Sequence, residues 1–313
     1  MDFLIFVAAM TALIYGADFI INESERIATH FKIPHFIIGA TLVAFGTSLP
    51  EMAASITASA ANKSDMAVSN VIGSVVFNIT LVLGTVFIIS SKIRPKRDLF
   101  AKDSAWALFP LLIFLLMAYD NTISRVEGLL FISLMAGYIL FLVVDAKELL
   151  ALEEHEINDE TFGWAKSLLP LIIGFVMVVV GATFTIESGS AIARNFGISE
   201  WMIGLFLISF GTSLPELVVS LVAAKKGNAD MSIGNIIGSN VANFTMVLGS
   251  AALVNPLTIN TEQNQFDLYV TIVATLMLLF ITANRLYNRS AGIALLIVLF
   301  LFVNNSASNL QIP

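Results

Sequence analysis

Cysteine is absent from the 313 residues, which excludes disulfides, thiolate metal sites and a thiol nucleophile. Charge is scarce: Asp, Glu, Lys and Arg together make up 12% of the chain, about half of the ~25% usual in soluble domains. Sixteen basic residues in a chain of net charge −7 give no footprint for nucleic acid. The three histidines, His30, His35 and His155, fall near the ends of apolar runs or in loops and read as surface residues. No nucleophile–base pair is visible, so the chain reads as a non-enzyme with no cofactor. What remains is apolar: 57% hydrophobic residues and a mean hydropathy of +0.87. A water-soluble fold of this size cannot hide that much apolar surface, so the chain reads as an integral membrane protein.

The apolar residues come in unbroken runs, such as 108–117, 129–144, 268–282 and 293–303. Barrel strands need ~10-residue alternation of apolar and polar positions instead. With flanks included the runs reach the ~20 residues of a membrane-spanning helix. Ten spans are expected, at 2–22, 34–60, 67–90, 104–119, 126–146, 168–195, 200–224, 231–253, 267–283 and 290–304. The first lacks a basic lead and a cleavage site, so it reads as a helix and not a signal peptide. One long polar stretch, 147–166, holds Glu153, Glu154, Glu156, Asp159 and Glu160. It has no EF-hand spacing and reads as a solvated acidic loop. With the N-terminus outside, alternating spans put 13 of the 16 basic residues in inside loops and leave Lys63, Arg125 and Arg194 outside. The positive-inside rule therefore predicts a cell-membrane protein with both termini outside and 147–166 cytoplasmic.

The sequence repeats. GTSLPE stands at 46–51 and again at 211–216, and the same offset of 165 gives 32 identities over the 69 positions from 16 to 84. The matches are largely Gly, Ser, Thr, Asn, Glu and Pro, which apolar composition alone does not produce. Five spans per half is an odd number, so the second half crosses the membrane in the opposite sense. The predicted fold is all-α, ten transmembrane helices in two inverted five-helix repeats. The first repeat covers 1–146, the acidic loop 147–166 and the second repeat 167–313; many secondary transporters share this layout.

Glu51 and Glu216 lie mid-span, where a carboxylate is costly and marks function. Pro50 and Pro215 lack the N–H that the carbonyls of Gly46 and Gly211 would otherwise receive. Freed carbonyls at that depth are tolerated only where they face protein or a wet cavity. Thr47 and Ser48 stand four and three residues before Glu51, one helix face; Thr212, Ser213 and Glu216 repeat the spacing. Ser74 and Asn78, and Ser239 and Asn243, are i, i+4 pairs on the next span of each half. Inverted symmetry brings the two sets together as an all-oxygen chamber, which suits Ca2+ or Na+ and disfavours Zn2+ or Cu2+. The packing roles of Gly73 and Gly238, and the roles of Asn70 and Asn235, stay open at this level, and Asp18 and Glu187 read as residues that reach toward the interface.

These motifs resemble the sodium/calcium exchanger family of the cation/Ca2+ exchangers. The resemblance is carried by GATLVAFGTSLPE and NVIGSVVFN in the first half, and by GLFLISFGTSLPE and NIIGSNVAN in the second. It implies a cluster of sites holding three Na+ or one Ca2+ in turn. By that resemblance Glu51 and Glu216 are the shared carboxylates, and Thr47 and Thr212 give backbone oxygens to Ca2+. Ser48, Ser213, Ser74 and Ser239 give hydroxyls to flanking Na+ sites, completed by the carbonyls of Ala44 and Ser209. Asn78 and Asn243 are the amide ligands. Many relatives, the potassium-dependent branch among them, carry an acid where this chain has Asn243, so the expectation is Na+/Ca2+ antiport without K+. An H+/Ca2+ antiporter on the same fold is the alternative, and a cation channel a third class. The expected partners are the two ions and the lipid bilayer, with no nucleic acid and no obligate protein partner.

Overall fold

In a bilayer the backbone has no water to bond to, so apolar runs must satisfy their own amides as helices. The computed structural model describes residues 2–90, 95–152, 163–196, 211–262 and 264–309, and these are almost wholly helical. In chain order they are α1 (Asp2–His30), α2 (His35–Thr47), α3 (Leu49–Ala60), α4 (Ser64–Ile89) and α5 (Leu99–Asp120). The first half closes with α6 (Arg125–Leu152), and the second half supplies α7 (Trp164–Asn195), α8 (Leu214–Lys225), α9 (Ala229–Val254), α10 (Gln265–Ala283) and α11 (Arg289–Asn309). Eight of them are single helices long and apolar enough to span, and α2 with α3 forms a ninth, bent by 44°. The span expected at 200–224 is described only from residue 211 on, as the turn at 212–213 and α8. Its first half lies outside the described residues.

Two boundaries differ from the sequence reading. The first helix runs on to His30, and α6 runs to Leu152, past the expected loop start at 147. Ala146, Lys147, Glu148, Leu149 and Leu150 are good helix formers, so the start of the polar segment continues the helix as far as Leu152.

The helices sort into a centre and a rim. For α9 83% and for α4 72% of the apolar window is buried, against 17% for α11, so the two motif-bearing helices are central. Glycines bring helices together in crossings that mirror the repeat. A Cβ on Gly84 or Gly292 would meet backbone or side chain of the other's helix, and Gly128 and Gly249 oppose each other in the same way. Helices α1 and α7 form the most extensive pair. Gly16 faces the Gly174 carbonyl, and Gly181 faces that of Ala9.

The loops fall on two faces. On one, Asp98 pairs with Arg285 at 3.4 Å, the backbone N–H groups of Lys96 and Arg97 donate to Asp230, and Nδ1 of His35 lies 2.8 Å from Asn228. Asp18 is bound there by Lys226 at 2.5 Å. Arg97 is the hub of this face, bridging Asp103 and Asp145 while its guanidinium sits 4.7 Å over the Phe36 ring. Burial works against its charge, but the hydrogen bonds and charges of Asp103 and Asp145 outweigh that and hold its pKa above the ordinary arginine value. On the other face Asn255 reaches Ser59 and Asn62. There a two-residue ladder pairs Thr122 with Thr258 and Ile123 with Leu257.

Candidate functional site

The GTSLPE motif breaks its helix in both halves and by the same geometry. Ser48 (φ −86, ψ 4) ends α2 and Ser213 (φ −88, ψ 4) precedes α8, each followed by a Leu-Pro pair that opens the next helix. Proline is at home in a first turn, where its missing N–H has no partner to lose. Glu51 and Glu216 then fall in the first turns of α3 and α8, where free amides favour an anion. The sequence thus turns one costly carboxylate per half toward the middle of the molecule, with a helix terminus behind it.

The two halves meet at these breaks. Ser48 Oγ donates to Glu216 Oε1 at 3.2 Å, and the Thr47 hydroxyl lies 3.3 Å from Asn235 Oδ1 and 3.5 Å from Ser239 Oγ. Thr47 and Ser239 flank the Glu216 carboxylate, and the Glu51 and Glu216 charges are close enough to repel. Glu51, Glu216, Thr47, Ser213, Ser239, Asn78 and Asn243 have no exposed surface, and Ser48 and Ser74 are 3% exposed. Thr212 is half-buried and lines a cavity together with Ser74.

The chamber is defined by what lacks a partner. Both Glu51 oxygens, Glu216 Oε2, the Ser74 and Ser213 hydroxyls and all four amide atoms of Asn78 and Asn243 are buried without a hydrogen-bond partner among the described residues. Buried polar groups are nearly always paired, and an unpaired carboxylate is the most costly exception. Hydroxyls, amides and two carboxylates with open valences form a hard-oxygen set for a cation. Among the described residues no three His, Cys, Asp or Glu side chains converge, so neutral oxygens make up the rest of the set.

Two of the expected ligands stand apart. The Ala44 carbonyl accepts from the Ser48 N–H at 3.0 Å and from the Thr47 hydroxyl at 3.2 Å. It would release the hydroxyl to take an ion. Ser209 lies outside the described residues. The structure also adds residues that the motif reading left out or left open. Asn70 donates to Ser55 Oγ and to the Glu51 carbonyl, and Asn235 donates to Ser220 Oγ at 3.0 Å. These asparagines tie α4 and α9 to the broken helices, Asn70 at the backbone of Glu51 itself. Ser55 and Ser220 each follow their glutamate by four residues and match at the same offset, a signal the repeat alone carries. Asn78 and Asn243 each open a π-helical turn, Asn78–Leu83 and Asn243–Val247, a local widening frequent at functional sites.

Comparison with known proteins decides the family. A sequence profile described as "Sodium/calcium exchanger protein" matches residues 1–144 and 166–306. The chain belongs to the sodium/calcium exchanger family. The exchanger MaX1 of Methanosarcina acetivorans is 30% identical over 345 residues, covering 96% of this chain and 97% of the relative. An uncharacterised membrane protein of Methanocaldococcus jannaschii is 36% identical over 292 residues, 93% of each chain. Among solved structures, the sodium-calcium exchanger NCX_Mj soaked with zero Na+ and Ca2+ superposes with a TM-score of 0.82 at 32% identity, over 99% of each chain. Human sodium/potassium/calcium exchanger 4 matches a shorter stretch, 29% identical over 131 residues, 42% of this chain and 21% of its own length. The family is one of multi-pass membrane transporters, and its transported ions are Na+ and Ca2+.

Proposed function

We propose that this protein exchanges Na+ for Ca2+ across the cell membrane by alternating access, electrogenically and without K+. The observation that carries the reading is the pair of wholly buried glutamates whose oxygens lack partners, with unpartnered hydroxyls and amides from both halves around them. Glu51 and Glu216 are the shared carboxylates, and the backbone oxygens of Thr47 and Thr212 join them around Ca2+. The hydroxyls of Ser48, Ser213, Ser74 and Ser239, with the carbonyls of Ala44 and Ser209, serve Na+. Asn78 and Asn243 are neutral ligands between them.

Charge counting gives the coupling. The empty chamber carries two negatives in a poorly solvated place, which resists the crossing. One Ca2+ brings it to zero and three Na+ leave it at plus one, so either load lowers the barrier that the empty chamber meets. A cycle that moves one net charge couples to voltage at ~2.3 kcal/mol per 100 mV, and an inside-negative membrane then favours Na+ entry and Ca2+ exit. Sliding of α1 and α7 across the other helices is the proposed motion, supported by the close approach of this pair at Gly16 and Gly181, small residues that let two helices pack at short range. Asn243 keeps the count at two, which is why K+ is not required.

The test is 45Ca2+ uptake into proteoliposomes with Na+, K+ and H+ gradients imposed one at a time. A Na+ gradient drives Ca2+ uptake with the pH gradient collapsed and K+ absent. Uptake driven only by a pH gradient assigns the chamber to proton exchange instead, and unsaturable flux without countertransport assigns it to a channel.

A further inference from the structure

On the face of Arg97 the chamber is closed, and α1 covers the closure. Helix α2 meets α9 there backbone to backbone. A Cβ on Gly234 would strike the Phe36 carbonyl, and one on Gly238 would strike the backbone of Ala40. Ile20 and Ile27 of α1 join one apolar cluster with Ile38 of α2, Val219 of α8 and Met231 of α9. Apolar contacts are non-directional, so they let a helix shift along its neighbours at little cost. Its register has to be set by directional bonds.

The polar side of α1 supplies them. Asp18, Asn22 and Glu25 stand at i, i+4 and i+7, one stripe of the helix, and they meet the turn between α8 and α9. Gly227 closes α8 in the left-handed conformation (φ 85), and the N–H of Asn228 returns to the Ala223 carbonyl at 2.9 Å, a cap that fixes the turn. From this turn Lys226 Nζ reaches Asp18 and Asn22, each at 2.5 Å. The Asn228 amide donates to Glu25 and accepts from Nδ1 of His35, the first residue of α2, at 2.8 Å. One set of bonds thus ties α1 and α2 to the α8–α9 turn. The repeat does not supply this set twice. At the offset of 165, Asp18, Glu25 and Lys226 are matched by Thr183, Ser190 and Ala61, none of them charged.

We propose that Lys226 and Asn228 latch α1, holding it in the register that closes the chamber on this face, so that the latch parts each time the chamber opens there. It rests on the reading of α1 and α7 as the pair that slides during exchange. A slide of one helical turn moves α1 by about 5.4 Å, and a hydrogen bond is lost beyond about 3.5 Å. The apolar cluster tolerates such a shift by exchanging one apolar neighbour for another. The bonds to Lys226 and Asn228 have one register only.

The test measures Na+/Ca2+ exchange in vesicles of known orientation, with Ca2+ presented on one face and then on the other. Lys226→Met and Asp18→Asn each favour the conformation open on the Arg97 face, so each lowers the KM for Ca2+ on that face, relative to the other, about 2- to 5-fold. The double variant goes no further than Lys226→Met alone, because both changes remove the same bond. Asp18→Lys combined with Lys226→Glu moves the ratio back toward wild type. The chain has no native cysteine and both side chains are part-exposed, so the latch can also be made permanent on the folded, inserted protein. Asp18→Cys with Lys226→Cys, joined by a short bifunctional methanethiosulfonate, keeps equilibrium 45Ca2+ binding, loses exchange and regains it on reduction. An unchanged ratio in the single variants, shifts that add in the double variant, or full exchange by the cross-linked protein overturns the latch while leaving the chamber assignment intact. A wild-type protein without coupled flux overturns the exchange reading and the latch together.

Discussion

The two glutamates matter because the described residues leave them incompletely satisfied. Each wholly buried carboxylate has at least one oxygen with no described partner, a state that a bound cation relieves. Glu51→Gln and Glu216→Gln each remove one anionic ligand of two. Each is expected to weaken Ca2+ binding at least about 100-fold, the equivalent of about 3 kcal/mol, and to abolish transport. Because the halves mirror each other, the two losses are similar; near-normal 45Ca2+ exchange in either variant contradicts the site. Asn243 sets the charge count. In Asn243→Asp a third carboxyl stands beside two others in a dry place, where it either takes a proton or recruits another monovalent ion. Na+-driven Ca2+ flux in the wild type is therefore insensitive to K+ between about pH 6 and 8, and the variant gains a dependence on pH or on a further cation. A wild type that stops without K+ shows that another group supplies the missing charge.

At the scale of the helices, close backbone crossings hold the motif helices together. Gly238 sits against the backbone of Ala40. Gly238→Ala must push two backbones apart and is expected to cost about 1–3 kcal/mol. Thermal unfolding of the variant in detergent measures the loss; an unshifted midpoint contradicts the close approach. Much of this level was legible in the sequence. Polar residues recurring at a fixed offset against an apolar background gave the repeat, and Pro50 and Pro215 placed the interruptions. The π-helical turns at Asn78 and Asn243 were not legible, because the residues that follow them are ordinary apolar ones that suit either helix type. Nor were the partners of the glycines, since closeness of two backbones leaves no mark on residues far apart in the chain. Asn70 and Asn235 stayed ambiguous because a buried amide serves equally as ligand or brace, and only the bonds to Ser55 and Ser220 distinguish the two.

For the whole molecule, the loops sort into two faces, and the basic residues give those faces a direction. Lys96 lies with Asp230 and the Asp98–Arg285 pair, while Ser64 begins α4 near Asn62, which meets Asn255 on the opposite face. By the positive-inside rule we propose the first face as the cytoplasmic one. Single cysteines at Ser64 or Ser308 are expected to react with an impermeant reagent from outside, and those at Lys96 or Glu154 only from the cytoplasm. Labelling of Ser64 and Lys96 from the same side contradicts the inverted layout. The arrangement as a whole has one polar chamber at its centre, and the central claim is that Na+ and Ca2+ occupy that chamber in turn. Equilibrium 45Ca2+ binding to the purified protein, titrated with Na+ at constant ionic strength and with K+ as the control, tests it most directly. The account predicts that Na+ displaces Ca2+ completely and cooperatively, that K+ does not, and that Glu51→Gln leaves no Ca2+ to displace; Ca2+ binding indifferent to Na+ contradicts it.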